Sequence, residues 1–220
     1  MVIWDSSVLF DHWDRYMQGF GQTVLASLLA LIGSLIIGTI IAILRISPYR
    51  WLNVFGAAYV EFLRNIPLLV VVFFFFLGLP SLGIPLDGFS SGTIGLMVYT
   101  SSFIAEAIRA GIQAVPKGQT EAARSSGLSY VQSMWHVVLP QAVKVVLPAV
   151  GNQMINLVKN SAILGVVAGL DLMYYADLIS SDTFLPIPVY TFVALFYLVL
   201  TVPLSMAVHY MERRFARSNA

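Results

Sequence analysis

The chain contains no cysteine, and only 10% of its 220 residues are charged. Without cysteine there is no disulfide scaffold, no thiol nucleophile and no thiolate metal site. The scarcity of charge excludes more. A soluble domain is about a quarter charged, so this chain cannot wet a globular surface. A formal net charge of +1 gives no footprint for nucleic acid. Disorder is excluded by the opposite excess, 58% hydrophobic residues and a mean hydropathy of +0.82. Histidine is scarce too: His12, His136 and His209 are too dispersed for an H-E-x-x-H site. No catalytic set and no metal site are therefore expected. A G-x-x-x-x-G-K-[ST] phosphate cradle is also missing. What remains is an integral membrane protein.

Asp5, Asp11 and Asp14 precede the first apolar run, where a cleaved signal would carry positive charge. Trp4, Trp13 and Tyr16 suit the headgroup level. A spanning helix needs about 20 mostly apolar residues, and five stretches qualify: about 16–44, 52–78, 92–115, 140–166 and 188–211. The expected architecture is a single all-α transmembrane domain over 1–220, with a polar cytoplasmic loop at 116–138. Gly33 and Gly38 in span one permit close packing. Lys and Arg mark the cytoplasmic side. Arg45 and Arg50 follow span one, Lys117 and Arg124 follow span three, and Arg213, Arg214 and Arg217 follow span five. All seven Asp residues fall in the other segments. The N-terminus is expected outside and the C-terminus inside.

The loop reads PKGQTEAARSSGLSYVQSMWHVVLP from Pro116 to Pro140. Thr120 to Ser126 suits a short helix that Gly127 ends, and Ser129 can cap a second one running to His136. Pro140 then falls near the first turn of span four. The result is a helix–turn–helix finger. Glu121-Ala122-Ala123, then Gly127, then Val137 and Leu139-Pro140, resembles the EAA loop of ABC importer permeases, which have Ile where this chain has Val137. Ala110 to Gln119, Phe62-Leu63-Arg64-Asn65-Ile66-Pro67-Leu68 and Asn156 to Ala162 resemble the polar amino acid branch of that family, of glutamate and aspartate type. The resemblance runs from about residue 16 to 217. It implies a permease that binds no cofactor itself, with ATP and Mg on a partner ATPase dimer. It further implies a second permease subunit, a heterodimer being favoured over a homodimer, and an external amino-acid-binding protein. The setting would be the bacterial inner membrane and the mechanism alternating access. Docking on the ATPase would fall to Glu121, Ala122, Ala123, Gly127, Leu139 and Pro140.

Ionisable groups inside the membrane are costly and so are functional candidates. Glu61 and Arg64 lie three apart on one face of span two, and Glu106 and Arg109 repeat that spacing on span three. Each pair is expected to be satisfied internally; with Asn65 and Pro67 they are gate or interhelix candidates. Lys159 has no acidic neighbour within four residues and lies roughly 28 Å along the helix from Pro140 at 1.5 Å per residue. Asn156 shares its face, with Asn160 beside it and Gln153 one turn before. A lone ammonium among amides suits a carboxylate guest; snorkelling to headgroups is the bland alternative. Relatives that import basic amino acids tend to carry acidic residues where this chain has Gln153 and Asn160. The resemblance thus implies glutamate or aspartate, with glutamine next. Thr100, Ser101 and Ser102 can line the same cavity or serve as packing. A homo-oligomeric channel is the remaining alternative of another class.

Overall fold

The computed structural model describes residues 4–217, and among them every regular element is helical. Positions 1–3 and 218–220 of the expected domain lie outside the described residues. A short α1 (Ser7–Asp11) leads into α2 (Trp13–Ile46), which has 34 residues. Its outer stripe is Leu25, Leu28, Leu29, Ile32, Ile36, Ile40 and Ile43, all exposed, and between Tyr16 and Ile41 its buried face is small: Gly19, Ala26, Ala30, Ser34 and Gly38. Large apolar groups face outward and small ones inward because lipid offers no hydrophobic drive between helices, so close packing holds them together.

The expected second span is not one helix. α3 (Arg50–Arg64) and α4 (Leu68–Phe73) meet at a bend of 106°. Pro67 sits between them with extended ψ of 141° and biases Ile66 away from the α region. α4 widens into a π-helical turn, Phe74–Gly78, before the short α5 (Leu79–Ser81). Pro80 explains that turn: its ring would strike the carbonyl four residues back, and widening the turn relieves the clash.

α6 (Gly88–Gln113), capped where Asp87 accepts the Ser90 N–H at 2.7 Å, is the central helix. It packs on α2, α3 and α4. Ser91, Thr93, Thr100, Ser101 and Ser102 are all buried in it. A helix enclosed by protein needs no greasy face, and α6 falls short of the apolarity of a lipid-exposed span. Three helical stretches are long and apolar enough to cross a membrane, Trp13–Ile46, Tyr130–Val167 and Pro186–Phe215, or four if the bent pair is one span. The expected five are not reached by length and apolarity alone.

α7 (Lys117–Ser125) forms the first half of the loop. The second half departs from expectation. α8 (Tyr130–Ser133), the π-helical turn Met134–Val138, α9 (Leu139–Asn160) and the 3-10 turn Ser161–Val167 run on as one 38-residue stretch. The loop's second helix does not stop at His136. The π turn again precedes a proline, here Pro140, and the side chain of Gln141 donates to the Val137 carbonyl at 2.9 Å. Left-handed Ala168 and Leu170, at φ 52° and 58°, then reverse the chain into α10 (Leu172–Thr183). α11 (Pro186–Arg217) completes the fold. Val8, Tyr16, Leu172, Ala176, Ile179, Val189 and Val193 form a core that binds α10 to the starts of α2 and α11. Arg15 and Asp182 pair there at 2.7 Å.

Asp171, outside the spans and fully buried, caps α10 by accepting the N–H groups of Tyr174 and Met173 at 3.1 and 3.3 Å. Burial pushes its carboxyl up to about 6 despite those bonds. A folded-state value above the unfolded one means stability present at low pH and lost as pH rises through about 6. The melting midpoint in lipid is therefore expected to rise as pH falls from 7 toward 4. Asp171→Asn, which keeps the cap without the charge, should flatten that dependence; an unchanged slope would assign it to other groups.

Candidate functional site

Two places carry the chemistry that the sequence singles out. The first is the finger. α7 ends in paired bonds, Leu128 N–H to the Ala123 carbonyl at 3.2 Å and Gly127 N–H to the Arg124 carbonyl at 3.0 Å. This closure needs a left-handed residue, and Gly127 supplies it at φ +88° with open space around it. Ser129 accepts the Gln132 N–H while the Gln132 side chain accepts the Ser129 N–H, a reciprocal cap that restarts the chain as α8. Glu121, Ala122 and Gly127 are exposed on the finger. Ala123 is only 7% exposed, so within this chain it packs inward rather than standing on the finger's surface. Leu139 is half-buried and Pro140 exposed, both in the continuous helix behind the finger. A groove of about 730 Å³ opens at the finger's root, lined by Gln113, Lys117, Thr120, Glu121, Tyr130 and Met134 among others.

The second place lies between α6 and α9. Gln153, Asn156, Lys159 and Asn160 line one pocket of about 350 Å³ together with Thr100, Tyr99, Phe103 and Leu157. The helical spacing does bring the four α9 residues together. Asn156, Lys159 and Asn160 are exposed, so the pocket is open along one side. It contains one cation, three side-chain amides and no carboxylate. Ser101 is not part of it. Adjacent helical residues point about 100° apart, and the Ser101 hydroxyl is instead engaged by Tyr59 Oη at 2.7 Å and donates to the Val98 carbonyl at 2.7 Å. Ser102 donates to the Tyr99 carbonyl. Tyr99 and Phe103, whose rings lie 5.1 Å apart, carry no signal in an apolar sequence, since aromatic residues on a membrane helix are ordinary.

The two expected charge pairs diverge. Glu106 and Arg109 do pair, at 2.5 Å, but Glu106 also holds Arg45 from α2, and Arg109 donates to Gln113 at 2.5 Å. Glu61 and Arg64 do not pair. Glu61 accepts from Asn65 Nδ2 with both its carboxylate, at 3.4 Å, and its carbonyl, at 2.7 Å. Arg64, the last residue of α3, lies over the Phe103 ring at 5.4 Å. Asn65 follows the last residue of α3 and Pro67 precedes the first of α4, so both sit at the bend itself. Among the described residues no group of three His, Asp or Glu side chains is placed to hold a metal ion.

Residues 34–217 match the family described as "Binding-protein-dependent transport system inner membrane component". The chain is 61% identical over 212 residues to the "Probable glutamine ABC transporter permease protein GlnM" of Bacillus subtilis, covering 96% of this chain and 98% of that one. It is 33% identical to the "Glutamate transport system permease protein GluC" of Corynebacterium glutamicum, covering 96% and 98%. A solved structure described as "Crystal structure of an amino acid ABC transporter with histidines" superposes with a TM-score of 0.91 at 35% identity, covering 96% of this chain and 99% of that one.

Proposed function

The chain belongs to the family of binding-protein-dependent transport system inner membrane components, and within it we propose that this permease subunit carries glutamine. It is an amino acid ABC transporter permease in a bacterial inner membrane, not an enzyme; ATP hydrolysis is carried by a partner. The observation that carries the substrate reading is the pocket with one ammonium, three amides and no carboxylate. Lys159 takes the α-carboxylate through a charge-assisted hydrogen bond. Gln153, Asn156 and Asn160 each offer both donor and acceptor, the complement of a side-chain amide. A cationic cargo meets no opposite charge there. The expected order of glutamate or aspartate before glutamine is thereby reversed. The 61% identical relative bears a glutamine name, and the glutamate permease is more distant at 33%.

The remaining parts follow from the exposed polar stripe. Asn156, Lys159 and Asn160 stand exposed in a stretch long and apolar enough to cross a membrane, and such groups avoid acyl chains. That face lines a pathway completed by a second permease subunit. The bent α3–α4 pair and the protein-enclosed α6 bring the spans to five, with the N-terminus outside. Two ATPase subunits dock on the finger through Glu121 and Ala122, and a binding protein delivers cargo from outside. ATP binding draws the fingers together and opens the pathway outward.

The test is ATP hydrolysis by the complex co-expressed from neighbouring genes, purified in lipid, with each of the twenty amino acids. Glutamine is expected to stimulate most. Stimulation by arginine or histidine would overturn the pocket reading, and absence of any co-purifying ATPase would favour a channel.

A further inference from the structure

The ion cluster at the lower end of α6 ties that helix to α2, and α3 rests on the same arginine. Glu106 Oε2 accepts from Arg45 Nη1 of α2 and from Arg109 Nε at 3.1 Å; Glu106 Oε1 accepts from Arg109 Nη2 at 2.5 Å. Both oxygens are taken, and Arg109 turns its remaining Nη1 to Gln113, which lines the groove at the root of the finger. On the other side, Asn53 of α3 donates to the Arg45 carbonyl. A Cβ on Gly56 would stand 2.8 Å from Arg45 Cγ, so the glycine makes room for the arginine stem to cross α3. The side chains of Arg45, Glu106 and Arg109 are only 12–24% exposed. Charges so enclosed hold together because removing one partner strands the others.

α2 and α6 pack against each other along their length, and this cluster adds a charged tie between their lower ends; α3 joins the same body through α2, by Asn53 and the Gly56 contact. That body supplies one wall of the pocket through Tyr99, Thr100 and Phe103, with Arg64 of α3 resting on Phe103. The opposite wall belongs to α9. Below the pocket the two walls meet closely, where a Cβ on Gly111 would lie 2.3 Å from Val146 Cγ2. α7 joins the lower ends of both walls, since it leaves α6 after Gln113 and leads through α8 into α9.

We infer that Glu106 is a positioning residue for transport coupling: it locks the lower ends of α2 and α6, with α3 carried on α2, into a single lever, so that displacement of the finger about the Gly111 contact opens or closes the pocket. The inference rests on the importer reading above. It makes a definite demand. Without the Glu106 ties, finger motion deforms the lower end of α6 locally and the pocket wall no longer follows.

The experiment uses the whole complex in lipid with its ATPase and binding protein, comparing basal hydrolysis with hydrolysis under glutamine-loaded binding protein. Glu106→Gln and Arg45→Gln are each expected to lower the stimulation ratio at least about fivefold, the lower end of ordinary coupling energies, with basal hydrolysis retained. The double variant should lose no more than Glu106→Gln alone, because that change already removes the tie to Arg45. An assembled Glu106→Gln complex with the wild-type ratio overturns the inference. Should that variant fail to assemble, Glu106→Asp and Arg45→Lys keep the charges but shift their reach; the wild-type ratio in both overturns it equally, and a lowered ratio with intact basal hydrolysis supports it. A wild-type complex that no amino acid stimulates overturns the importer reading and this inference with it.

Discussion

Lys159→Ala is expected to raise the half-saturating concentration of glutamine for stimulated hydrolysis by roughly 10- to 100-fold. A hydrogen bond to a charged group contributes about 1.5–3 kcal/mol, and each 1.4 kcal/mol is about a factor of ten in affinity. No second cation lines the pocket to take over the cargo's carboxylate. Arg64 stands behind the Phe103 ring and cannot substitute without leaving it. Lys159→Gln should lose nearly as much, since it restores a donor but not a charge, and it separates electrostatics from mere hydrogen bonding. Basal hydrolysis and co-purification of the ATPase should not change, because Lys159 lies in the last turn of α9, far along the stretch from the finger. An unchanged midpoint would return Lys159 to snorkelling toward headgroups.

Glu121→Arg is expected to reduce uptake to background, a loss of two orders of magnitude or so if docking is the only route for energy. Its amount in the membrane should stay normal. Glutamate and arginine have nearly equal helix propensity, and the finger is closed by the Gly127 turn and the Ser129 cap, neither of which involves the Glu121 side chain. What changes is the sign of an exposed charge beside the groove at the finger's root. Loss of the ATPase on affinity purification is the direct readout, with Glu121→Gln falling between. Normal uptake by Glu121→Arg would remove the docking role from this face.

Local chemistry was well marked in the sequence; long-range chemistry was not. The Gly127 turn and the Ser129 cap depend on neighbours within a few residues, so their residue types announced them. The α9 stripe was equally plain because spacing of three and four puts polar groups on one face. Arg45 was invisible as a partner of Glu106, 61 positions away, since nothing in either helix marks the meeting. Length and apolarity alone reach three or four spans among the described residues. α6 is shielded by other helices, and a helix buried in protein needs less greasiness than one that faces lipid. The prolines show both sides of this. Pro67 lies inside one apolar stretch, yet it separates two helices at 106°. Pro140 does fall in the first turn of α9, and the widened turn before it joins that helix to the finger.

That widened turn has a consequence for engineering. Because the stretch from Tyr130 to Val167 is continuous, the second half of the finger and the α9 wall of the pocket are set in a fixed rotational register. Adding or deleting a single residue between Val138 and Gln153 would rotate one end against the other by about 100° and shift it by about 1.5 Å. A chimaera that borrows its finger from one permease and its pocket from another must therefore preserve this residue count. Hybrids that match in sequence but not in register should fold, insert and recruit their ATPase, yet present the wrong side of α9 to the cargo.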